Sequence, residues 1–112
     1  MWLFTTTGFV SAVQDRHDPH ALIVRARDKQ SLLPLAETAG TQITATPTAD
    51  YPYRTAITKD AFADWTYAQA TGIDYPNFKS AVAHTRGHDF SDTLMGVWST
   101  MHDVEDTDAR AR

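Results

Sequence analysis

The 112-residue chain has no cysteine, which excludes a disulfide framework, a thiolate metal site and a thiol nucleophile. Glutamate is almost missing as well: of 14 acidic residues only Glu37 and Glu105 are not aspartate, so acid/base catalysis lacks an obvious actor. No apolar run approaches the ~20 residues needed to span a membrane as a helix. The opening Met1-Trp2-Leu3-Phe4 runs straight into Thr5-Thr6-Thr7-Gly8, which is not the pattern of a secretory leader. The five glycines are isolated from one another, so there is no glycine-rich phosphate loop. The formal charge of −4 argues against non-specific nucleic-acid binding, which needs a positive field, and nucleic acid is not an expected partner. What is present is 42% hydrophobic residues, enough for a folded core in one domain. A small soluble protein of the cytoplasm is the expectation.

Periodicity divides the chain into a strand-forming half and a helical half. Trp2/Phe4 alternate with Leu3/Thr5, and Phe9/Ser11/Val13 alternate with Val10/Ala12/Gln14, the period of a half-buried strand interrupted at Gly8 by a turn or a bulge. Residues 15–20 form a polar hairpin loop. Residues 21–27 give a second strand, with Leu22, Val24 and Ala26 on one face and Ile23, Arg25 and Arg27 on the other. A helix follows, capped by Asp28 or Ser31, with Leu32, Leu35 and Ala36 as its buried stripe and Gly40 as its stop. Capping by Ser31 leaves Pro34 in the first turn; capping by Asp28 puts Pro34 inside the helix, where it predicts a kink. Residues 41–46 and 53–58 read as strands flanking the Pro47–Asp50 loop.

In the second half, Asp60 is the expected N-cap of a helix ending at Gly72. Asp74 is the expected cap of the next, with Tyr75, Phe78, Ala81 and Val82 on one stripe and Gly87 as its end. The last helix carries Phe90, Leu94, Val97, Trp98, Met101 and Val104 on a single apolar face, and Trp98 and Phe78 are expected in the core. The fold expected is α+β: an antiparallel sheet of about four strands, ferredoxin-like or a permuted variant, with helices on one face and a helical C-terminal half. Residues 1–105 are expected to form one domain and 106–112 a flexible tail.

The opening M-W-L-F-T-T-T-G-F-V-S, the segment I-D-Y-P-N-F-K over 73–79 and the late Trp98-Ser-Thr-Met101 resemble a group of small proteins of actinobacteria and of the phages that infect them. The likeness runs from Met1 to about Glu105. No activity is attached to the group, so no functional residue transfers. The resemblance implies a bacterial or phage accessory protein of the host cytoplasm, acting by binding a host protein.

No constellation asks for catalysis. None of the five serines sits in a G-x-S-x-G elbow, and the pairs Asp89/Asp92 and Asp103/Asp106 read as helix-end acids. His84 and His88 have the i, i+4 spacing of metal ligands, but Gly87 between them is expected to end the helix and part the two rings, so no metal and no cofactor are expected. His84, Arg86 and His88 can alternatively form an anion-binding turn. Arg25, Arg27 and Arg54, with Tyr51 and Tyr53 nearby, form a local basic patch on the strands, read first as the solvated side of a half-buried sheet. Trp2 and Tyr51-Pro52-Tyr53 lie at element ends, where aromatic side chains either pack or stand exposed, and exposed Trp, Tyr and Arg are what protein interfaces use. The function expected is therefore non-enzymatic binding of a protein partner or of a second copy as a homodimer. A small-molecule, nucleotide or phosphate ligand at the arginine or histidine clusters is the alternative.

Overall fold

A computed structural model describes residues 1–105. The chain divides into two compact units, Met1–Asp74 and the segment from Tyr75 onward. The tail expected over 106–112 lies outside the described residues.

The first unit is an antiparallel sheet with two helices. Strand β1 (Trp2–Thr5) turns at Gly8 into β2 (Gly8–Gln14), and the polar loop leads into β3 (Ala21–Ala26). Helix α1 (Lys29–Ala39) follows, then a short β4 (Thr44–Ala45), β5 (Tyr53–Thr58) and α2 (Lys59–Thr71). The strands lie in the order β1-β2-β3-β5-β4, so the sheet has five members rather than about four. The extra member arises because Gly8 separates two paired strands where one interrupted strand was a permitted reading. Strand β5 inserts between β3 and β4, and α1 bridges these two parallel strands.

The alternation in sequence becomes a two-faced sheet. Val10, Ala12, Val24, Ala26 and Ile57 are buried on one face against Leu32 and Leu35 of α1 and Phe62 and Trp65 of α2. The opposite face carries Trp2, Phe4, Phe9, Ser11, Val13, Ile23, Arg25, Arg54 and Ala56, as the registers require.

Of the two caps expected for α1 the structure has the first, and several other element ends differ from those expected, each for a local reason. Asp28 rather than Ser31 caps α1, its Oδ1 accepting the Ser31 amide at 3.3 Å, and the helix runs through Pro34 as one element. Ser31 instead accepts from the Phe9 amide at 3.2 Å, which docks the start of β2 onto the first turn of α1. The strand expected over 41–46 shrinks to Thr44–Ala45, because Thr41 and Gln42 engage the buried Thr55 hydroxyl: Thr41 Oγ1 lies 2.6 Å from it, and it donates to the Gln42 carbonyl at 3.0 Å. Thr58, not Asp60, caps α2 by accepting the Ala61 amide at 3.1 Å. Asp60 falls in the first turn, where a negative charge suits the helix dipole.

The second unit consists of α3 (Phe78–Arg86) and α4 (His88–Thr100), with a further helical turn over 102–105. Asn77, not Asp74, caps α3 through the Ser80 amide at 2.9 Å. Pro76 disfavours helical backbone at Tyr75, which leaves Tyr75 outside the helix. Gly87, with φ 92°, parts the two helices as expected. Val82 is fully buried, and Ser91 ties α4 to α3 by donating to the Lys79 carbonyl at 3.0 Å. Trp98 is not in the core: it is 60% exposed, with Val97, Met101 and Val104 beside it also exposed. Its stripe is real, but the described residues do not cover it. No helix among them is long and apolar enough to cross a membrane.

Candidate functional site

Strand register brings three of the expected site residues into one line. Trp2 pairs with Ser11, Ser11 with Arg25, Arg25 with Arg54, and Arg54 with Thr44. Residues directly opposite in a sheet point to the same side, so this row crosses all five strands on the face that α1 and α2 leave bare. It reads aromatic, hydroxyl, cation, cation, hydroxyl.

The cations are held rather than free-swinging. Arg25 Nη2 donates to Ser11 Oγ at 3.0 Å, and Ser11 is buried beneath it. The Arg25 guanidinium also lies over the Tyr51 ring at 4.6 Å, and that of Arg27 lies over the same ring at 4.9 Å. Each such contact contributes about 0.5–2 kcal/mol. Of the two alternatives for Tyr51, packed or exposed, the structure has the packed one, with 7% of the residue exposed. The loop before β5 folds back under the two guanidinium groups, aided by Arg27 Nη1 donating to the Asp50 carbonyl at 3.1 Å. Tyr53 alternates onto the core face and packs against the hydrophobic cluster, so it leaves the candidate site.

Arg25 and Arg54 differ from Arg27 in their charge partners. Arg27 reaches Asp50 Oδ1 at 3.5 Å in an exposed pair of little energetic weight. Neither Arg25 nor Arg54 has a carboxylate partner among the described residues, and the Nε of each is buried without a hydrogen bond. Two adjacent guanidinium groups with no anion between them repel each other, and a bound anion would relieve that repulsion. A groove of about 470 Å³ opens beside them, lined by Val13, Gln14, Asp15, Arg16, His17, Ile23, Arg25 and Arg54. The Asp15 carboxylate is engaged by the His17 amide at 2.7 Å. Three arginines and an imidazole therefore face one carboxylate there.

At the other end of the row Trp2 stands 67% exposed. Phe9 meets it edge-to-face at 5.6 Å and stacks on Phe4 at 4.5 Å, which builds an aromatic shelf across β1 and β2. Trp2 was legible as an exposed candidate. Ser11, Phe9 and the loop residue Arg16 were not singled out, although alternation already put 9, 11 and 13 on one face. The missing information was register, which a six-residue loop leaves open.

The remaining candidates belong to the second unit. His84 is exposed on the last turn of α3, and His88 is exposed at the start of α4. Arg86 lies with its guanidinium over the Phe90 ring at 3.9 Å. Among the described residues no group of three or more His, Cys, Asp or Glu side chains is arranged to hold a metal ion. No protein-family model, no curated protein and no solved structure matches the chain.

Proposed function

We propose that this chain is a non-catalytic binding module whose sheet face opposite α1 and α2 holds an anionic ligand between Arg25 and Arg54. One observation carries this reading: two guanidinium groups stand in register on that face without a carboxylate partner among the described residues, beside an open groove. Ser11 and Tyr51 fix Arg25 in advance, so little side-chain entropy is lost on binding. We also read the sheet as a permuted ferredoxin-like one. From β2 onward the order β2-β3-β5-β4, with α1 bridging β3 to β4, is a split β-α-β unit whose closing strand comes first in the chain.

The test is thermal unfolding of the full chain in rising phosphate or pyrophosphate, compared with Arg54→Ala. These anions stabilise many folds by exclusion from the surface, so only the difference between the two proteins counts. At 100 times its Kd a specific ligand adds about 2.7 kcal/mol to the wild type, and Arg54→Ala should lose that increment. Equal stabilisation of both proteins refutes the reading.

A second reading, self-association, is favoured by the stripe on α4 and the turn after it. Val97, Trp98, Met101 and Val104 are exposed at spacings of three and four, the pattern with which two helices pair. The occupant proposed is the same stripe of a second copy. Sedimentation should give a concentration-dependent dimer that Trp98→Lys abolishes; a wild type that stays monomeric at high concentration disposes of it.

A further inference from the structure

We infer that the anion held at Arg25 and Arg54 is the phosphate backbone of a single-stranded nucleic acid, with an unpaired base stacked on Trp2. The inference deepens the reading of the sheet face as an anion site and depends on it. Its own support is the aromatic end of the row. Strands are spaced about 4.8 Å apart, so Trp2 stands about 10 Å from the strand of Arg25 and about 14 Å from that of Arg54. A simple anion would use only the cationic end. A ligand that uses the whole row needs a flat apolar ring at one end and negative charge at the other. Nucleotides joined in a chain have that composition, and their backbone follows a sheet face while bases lie on aromatic side chains.

The aromatic shelf favours bases over acidic side chains. Trp2 projects 67% of its surface to solvent, but it is braced edge-on by Phe9, which itself stacks on Phe4. An exposed, oriented indole offers a face to any base, whereas a chain of aspartates or glutamates would leave it unused. The same geometry disfavours a duplex, whose bases are already stacked on each other. The overall charge of −4 is no obstacle to a local site, because screening confines each charge to roughly 10 Å at ordinary ionic strength.

The experiment uses fluorescence anisotropy of the full chain with labelled single strands of oligo-dT and oligo-rU. A duplex of equal length, a free nucleoside triphosphate and an oligo-glutamate peptide serve as competitors. The expected result is single-strand binding that weakens with salt and is displaced poorly by the other three. Trp2→Ala should weaken strand binding about tenfold, the effect of one lost base stack, and leave the phosphate-dependent thermal shift intact. Arg54→Ala should lose the thermal shift, weaken strand binding and flatten the slope of log K against log salt by about 0.7, the loss of one phosphate contact. Circular dichroism of both variants must match the wild type. A phosphate-dependent shift without strand binding, or strand binding indifferent to Trp2→Ala, overturns the nucleic-acid inference and spares the anion site. Equal competition by duplex, triphosphate or peptide also overturns it. Loss of every anion effect removes both readings together.

Discussion

Gly8 is the residue on which the bare face depends most directly, although it lies on the opposite one. Its φ of 151° lies in the range that side chains with a Cβ rarely adopt, and a Cβ built there would come within 2.8 Å of the Ser31 Cα. Ser31 also receives the Phe9 amide, so strand and helix meet with no spare space. Gly8→Ala therefore combines backbone strain with overpacking and should destabilise by about 3 kcal/mol, read from urea unfolding. A change below about 1 kcal/mol would mean that α1 can retreat from β2 at little expense. Tyr51 shows how a residue's role can be hidden from its neighbours in sequence. It lies in a polar, proline-flanked stretch that reads as either packed or exposed, and it is buried because two arginines 24 and 26 positions earlier need a flat surface. Nothing local to residue 51 carries that information.

At the scale of elements, the two-faced character of the sheet was legible from alternation alone. Leu22, Val24 and Ala26 against Ile23, Arg25 and Arg27 assign the faces of β3 as the structure has them. Less legible were pairings that depend on register, such as Trp2 opposite Ser11 opposite Arg25, because a shift of one residue reverses which side chains share a face. The α4 stripe was legible as a pattern but not as a burial: 3.6-residue periodicity tells that a face is apolar, not what covers it. Helix α1 offers a test at this scale. Asp28 caps it, so Pro34 is well inside and cannot donate to the Gln30 carbonyl. Pro34→Ala restores that donor and the better helix former, at some loss of unfolded-state restriction, and should stabilise by at least about 1 kcal/mol. For a domain of this size that is a rise in Tm of about 4–8 °C by calorimetry. An unchanged or lower Tm would show that packing of the pyrrolidine ring outweighs the missing hydrogen bond.

For the whole molecule, the division between the two units decides what can fold alone. Every member of the hydrophobic cluster, from Val10 to Trp65, lies in Met1–Asp74, together with strands β1 to β5 and helices α1 and α2. The backbone pairings of the sheet close within the same stretch, including the Lys59 amide donating to the His20 carbonyl at 2.9 Å. A fragment of residues 1–74 thus keeps the core and the arginine row intact. Chains this short bury only about 60% of their unfolded surface, and their cores supply on the order of 3–5 kcal/mol. The fragment should unfold cooperatively with a stability in that range and should retain the anion response lost in Arg54→Ala. Among the described residues of the second unit Val82 is the buried apolar one, and helices of nine and thirteen residues are marginal singly, so the converse fragment should show little helix. Far-UV circular dichroism with thermal melting separates the outcomes. A non-cooperative 1–74 fragment would mean that the sheet requires the C-terminal helices to fold, and the arginine row could then not be treated as a property of the first unit alone.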